Sequence, residues 1–130
     1  MSLTEPRPTA DQLNEARLML TNLERLFEVG GENTYAGVIR QVLRGEGPAL
    51  EAWLTSGNFW GGMGSMIDSA FCTSTFRGPE VDRRNRRDFM SLIVKLGNHQ
   101  IASGIFTANI KPHIEKWTST FQGWLDSSVV

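Results

Sequence analysis

Five apolar residues near the start of the chain, Leu13, Ala16, Leu20, Leu23 and Phe27, are separated by steps of 3, 4, 3 and 4. That rhythm puts them on one face of an α-helix and leaves Glu15, Arg17, Glu24, Arg25 and Glu28 on the others. A helix with a single apolar stripe depends on another element to cover it. The same constraint recurs downstream. Tyr35, Val38, Ile39, Val42 and Leu43 form a second stripe, and Leu50, Trp53 and Leu54 a short third. Trp60, Met63, Ile67 and Phe71 form a fourth. Phe89, Ile93 and Leu96, joined less regularly by Met90, Leu92, Val94 and Ile101, make a broad apolar surface suited to a central helix. Ile114, Trp117, Phe121, Trp124 and Leu125 complete the series. An extended piece around residues 73–76 would make no sheet by itself. The expected fold is all-α, a single-domain irregular bundle of about five or six helices.

Local signals place the boundaries. Thr9 and Gln12 have capping-box spacing, which starts the first helix, and Gly30 and Gly31 stop it. Asn33 or Thr34 opens the second helix and Gly45 ends it. Gly47 and Pro48 restart the chain, because proline loses nothing at a first helical position, and Gly57 closes the third helix. The fourth is expected from about Asn58 to Ala70. Residues 72–82 read as a loop. Asp82 caps the long helix, Gly97 permits close packing within it and Gly104 ends it. Asn109 and Pro112 start the last. Residues 1–8, with two prolines, form a flexible lead-in to one helical domain over 9–130.

A chain of 130 residues buries roughly two-thirds of its unfolded surface and needs no metal or disulfide to fold. Its 13 basic and 14 acidic residues leave a net charge of -1, which provides no long-range attraction to nucleic acid or anionic lipid. A membrane partner is not expected, since no apolar run reaches the roughly 18 residues needed to span a bilayer. The N-terminus has no apolar region of the signal-peptide kind. Cys72 is the single cysteine, so no intrachain disulfide forms, and a reducing, cytoplasmic location fits.

The one compositionally unusual stretch covers residues 56–68, where Phe59 and Trp60 meet Gly57, Gly61, Gly62 and Gly64, followed by Ser65 and Asp68. Each glycine in a helix costs up to about 1 kcal/mol relative to alanine, so three near one helix start require a reason. Either the backbone approaches a neighbouring helix closely, or bare first-turn amides face a ligand or a carboxylate. A P-loop would need two glycines five apart followed by Lys and Ser or Thr. No Lys or Arg occurs in residues 54–76, so nucleotide binding is disfavoured. On a continuous helix Asp68 shares the face of Gly61 and Gly64, opposite the apolar stripe, where an arginine could pair with it.

Arg83, Arg84, Arg86 and Arg87 form a candidate basic patch at the start of the long helix, poorly placed for the helix dipole. Glu80, Asp82 and Asp88 dilute it and aromatic interleaving is thin, so a solvated or protein-contacting face fits better than nucleic acid. His99 and His113 lack partners at metal-ligand spacing, no metal or cofactor is expected, and Cys72 has no clear nucleophile-activating context.

Trp60, Gly61, Gly62, Gly64, Ser65 and Asp68 together resemble a signature found in small bacterial helical proteins of uncharacterised function. There an aromatic followed by Gly-Gly-Met/Ala-Gly-Ser-apolar-x-Asp opens a helix near the middle of a short chain. The resemblance implies no reaction or ligand. Proteins of this kind often belong to toxin–immunity or other accessory loci. The expected function is therefore a non-catalytic protein-interaction module, immunity-like or accessory. The competing expectation is a small-molecule or anion-binding helical protein or enzyme using the helix start at 61–68. A homo-oligomer through exposed aromatics such as Trp53 or Trp124 is a third.

Overall fold

The computed structural model describes residues 8–29, 33–61, 65–67 and 80–127. Among these residues there are six helices and no strand. They are α1 (Ala10–Val29), α2 (Asn33–Leu43), α3 (Gly47–Leu54), α4 (Gly57–Trp60), α5 (Glu80–Ser103) and α6 (Lys111–Ser127). The protein is all-α, as the periodicity predicts.

The capping box opens α1. The Thr9 amide donates to Gln12 Oε1 at 2.8 Å and the Gln12 amide donates to Thr9 Oγ1 at 3.1 Å, so two donors that the helix leaves free are satisfied reciprocally. Ala16, Leu20, Leu23 and Phe27 are buried, and Leu13 packs at the edge of the same core. Arg17, expected on a polar face, instead reaches across to the end of α2. Its guanidinium donates to the carbonyls of Leu43 at 2.5 Å and Gly45 at 3.2 Å, closing the carbonyl end of that helix. Arg40 returns from α2 to α1, pairing with Glu24 at 3.0 Å and Glu28 at 3.3 Å. The Glu24 hydrogen bond, and then the Glu24 charge, raise the Arg40 pKa above its ordinary value.

These contacts make α1 and α2 an antiparallel pair. α5 runs antiparallel to α1, with His99 beside Gln12 at one end and Phe27 beside Phe89 at the other. α6 runs antiparallel to α5, and the order across the layer is α2, α1, α5, α6. α3 packs on α1 and α2, and α4 on α3 and α6, so this pair crosses one side of the layer. Leu50, Leu54, Phe59 and Trp60 point from that pair into the core formed with Phe89, Ile93, Leu96, Ile114 and Phe121.

Several local expectations change. In α2 the core residues are Ala36 and Ile39, while Val38 is 39% exposed, because only one flank of α2 meets α1. α3 ends at Leu54, and Gly57 opens the next turn rather than closing the previous one. α5 is already helical at Glu80, upstream of Asp82. Thr107, not Asn109, supplies the side-chain oxygen before α6, accepting from the Ile110 amide at 3.2 Å. Gly104 does end α5, with φ 74. The Ile105 amide donates to the Gln100 carbonyl at 2.8 Å and the Gly104 amide to that of Ile101 at 3.4 Å, the paired bonds of a Schellman stop.

Gly97 packs as its position suggests. A Cβ there would overlap Thr118 Cγ2 and approach Trp60 Cη2 at 3.1 Å and Ile114 Cγ2 at 3.3 Å. The close crossing of α5 and α6 over the tip of Trp60 requires a bare backbone at this point.

Candidate functional site

The glycine-rich stretch does not continue α4. α4 is a single turn, and Gly61 follows it with φ −57 and ψ 174, an extended conformation that halts the helix. The expected continuous helix from Asn58 to Ala70 is therefore interrupted at Gly61. Helical backbone reappears at Met66 and Ile67, both in the core. The Gly61 amide is not bare: it donates to the Gly57 carbonyl at 2.9 Å. A Cβ on Gly61 would overlap that carbonyl oxygen, so its own preceding turn, not a neighbouring helix, demands glycine here. Gly62, Met63, Gly64, Asp68, Phe71 and Cys72 lie outside the described residues, as do Gly30, Gly31 and the expected Asp68–arginine pair.

Trp60 and Ser65 are buried, at 0% and 3% exposure. Trp60 explains its place through a residue that the sequence reading passed over. Its Nε1 donates to Gln100 Oε1 at 2.9 Å. Gln100 Nε2 in turn donates to the carbonyls of Leu54 at 3.0 Å and Ile105 at 2.9 Å. One fully buried amide thus ties the end of α3, the tip of α4 and the turn after α5. Both amide hydrogens and the oxygen are used, which makes a buried polar group favourable rather than costly. A signal for Gln100 was present: with Phe89, Ile93 and Leu96 it completes the steps 4, 3 and 4 of the core stripe.

Arg84, Arg86 and Arg87 occupy neighbouring positions in the first turns of α5. Successive helical residues are turned by about 100°, so adjacent arginines face different ways. Arg84 is exposed, Arg86 and Arg87 are half-buried, and the side chain of Arg83 lies outside the described residues. Arg86 takes part in an interaction of its own.

His99 joins α5 to α1. Its Nε2 lies 2.7 Å from the Gln12 carbonyl oxygen, to which only an N–H can donate. Its Nδ1 lies 3.3 Å from Glu15 Oε2 and 3.5 Å from Ser103 Oγ. A serine, a histidine and a glutamate are therefore neighbours. Serine and carboxylate compete for the same nitrogen while the other nitrogen is occupied, so no proton path runs from hydroxyl through imidazole to carboxylate. No group of three or more His, Cys, Asp or Glu among the described residues could hold a metal ion.

The open surfaces lie elsewhere. Opposite the core, α5 presents Ser91, Lys95, Asn98 and Ala102 as an outward ridge with steps of 4, 3 and 4. A groove of about 450 Å³ runs on its α1 side, with Arg25, Leu26, Val29, Asp88, Leu92 and Lys95 in its walls. A second, of about 500 Å³, runs on the α6 side between Asn98, Ile101, Glu115, Ser119 and Gln122. Neither is lined by the described motif residues or by the arginines at 84–87. No helix of the described residues is long and apolar enough to cross a membrane.

Comparison with known proteins finds no family model, no curated protein and no solved structure that matches this chain.

Proposed function

We propose that the protein is a non-catalytic protein-interaction module whose contact surface is the outward face of α5 with its two flanking grooves. The observation that carries this reading is the asymmetry of the helical layer. Its inner side is covered by α3 and α4, whereas the outer side offers two open grooves of mixed apolar and polar lining on either side of one ridge. Mixed lining of this kind suits a transient protein contact. The motif around Trp60 serves a different purpose in this reading: its described residues are spent on internal bonding and packing. The anion-binding alternative loses a donor, because the Gly61 amide is engaged.

The finer part of the proposal is an immunity-like or accessory protein of a bacterial cytoplasm, which rests on the resemblance of residues 60–68 and on the single cysteine. Photo-crosslinking in the native host tests the surface. A crosslinking residue at Asn98, on the ridge, is compared with one at Ala52, exposed on α3. A protein partner trapped from position 98 and not from 52 is the expected result. Equal trapping from both, or trapping from 52 alone, would overturn the assignment.

A further inference from the structure

The two grooves beside the α5 ridge differ in charge. The α6-side groove has Glu115 as its one charged wall residue. The α1-side groove has Arg25 on α1, and Asp88 and Lys95 on α5. Arg84 stands exposed one turn before Asp88 on the same side of α5, and Asp88 is the only acid in residues 84–103. Arg25, Asp88 and Lys95 take no part in the ion pairs of Arg40 with Glu24 and Glu28 or in the contact of His99 with Glu15. Between these charges lie Leu26, Leu92 and Val29, the last 66% exposed.

Resting on the interaction-module reading, we infer that the α1–α5 groove docks an acidic amphipathic helix of a partner protein. The occupant follows from complementarity. Two antiparallel helices leave a channel along which a third can lie, its apolar residues at i, i+3, i+4 and i+7 meeting Leu26, Val29 and Leu92. Carboxylates on its flanks then meet Arg25 on one wall and Lys95 on the other. The apolar contact supplies most of the affinity, and the charges supply orientation and association rate. A phosphate backbone fits less well. Asp88 lines the same groove and repels it, and the apolar wall leaves it nothing to stack on or pair with, whereas a peptide can offer a lysine or another donor side chain to Asp88.

The test uses the isotope-labelled full chain and three probes followed by NMR: a synthetic acidic amphipathic helix, a basic helix with the same leucine face, and a single-stranded oligonucleotide. The acidic helix is expected to shift amides in residues 22–29 and 84–95, and to bind roughly tenfold or more tightly than the basic one. The Arg25→Glu/Lys95→Glu variant, changed only at exposed positions, is expected to reverse that preference. Equal binding of both helices, shifts confined to other residues, or tighter binding of the oligonucleotide at these residues would each overturn the inference. If no helix binds while position 98 still traps a partner, the acidic-helix inference falls and the interaction module stands. If position 98 traps nothing in preference to position 52, the module itself falls.

Discussion

At one end of the bundle the rings of Tyr35, Phe27, Phe89 and Phe121 follow one another across α2, α1, α5 and α6, with centroid spacings of 5.3, 6.0 and 6.1 Å. Trp117 and Trp124 extend the row at 5.3 and 5.9 Å from Phe121. At the other end the Gln100 amide holds Trp60, Leu54 and Ile105 by three hydrogen bonds, and His99 bonds back to α1. Both ends include α1 and α5 and belong to one core. The aromatic end relies on contact area and tilted ring pairs, which have no single required geometry. The Gln100 end relies on directional bonds between groups removed from water, each costly if left unmade. The first should absorb a change of shape by repacking. The second should not absorb even a change that preserves size.

The largest expected effect tests the polar end. Gln100→Met keeps length and approximate volume but orphans Trp60 Nε1 and the carbonyls of Leu54 and Ile105. A loss of about 3 kcal/mol in urea unfolding is expected, since a buried polar group left unmade costs about 1–3 kcal/mol. A loss below a third of that would mean water or a rearranged turn replaces the amide, and the contrast between the ends would weaken.

Next comes Gly97→Ala, which adds a methyl where α5, α6 and the Trp60 ring meet. Overpacking costs of about 1–3 kcal/mol outweigh the better helix propensity of alanine, worth up to about 1 kcal/mol. Thr118→Ser removes the methyl that the new Cβ strikes while keeping the hydroxyl bonded to the Ile114 carbonyl at 2.8 Å. The double variant is expected to recover at least half of the loss. Simple addition of the two single effects would show that the contact is relieved in another way.

The smallest effect belongs to the aromatic end. Phe89→Leu is expected to cost about 1 kcal/mol, with the cooperativity of unfolding unchanged, because neighbouring rings can close on the smaller side chain. A loss as large as that of Gln100→Met would erase the distinction between the two ends.

The pattern of what the sequence revealed follows the same division. The stripe from Leu13 to Phe27, the reciprocal cap of Thr9 and Gln12, the stop at Gly104 and the close packing at Gly97 were all readable. Each depends on residues within a few positions or on the geometry of a single helix. Gln100 was passed over and Arg17 was placed on a polar face, although both sit at helical spacing from core residues. A polar side chain at such a position is ordinarily read as solvated. It becomes structural only when carbonyls from distant helix ends arrive beside it. The Trp60–Ile67 spacing suggested one helix through Gly61, but the backbone is extended at Gly61. For the candidate site, sequence singled out Trp60 as exceptional without showing that its partner would be internal. It gave no sign of the α1–α5 groove, whose wall residues Arg25 and Asp88 lie 63 positions apart in the chain.

Sequence alone determined that the chain forms helices, where most of them start and stop, and that their apolar faces must meet. These outcomes depend on side-chain periodicity and on the satisfaction of nearby backbone groups. Tertiary structure decided which polar residues are spent inside and which surface is left over. A hydrogen bond such as that between Trp60 and Gln100 spans 40 positions in the chain, so its partner exists only once α4 has been laid against α5. The outward grooves arise from the same packing, as the side of the helical layer that α3 and α4 do not cover.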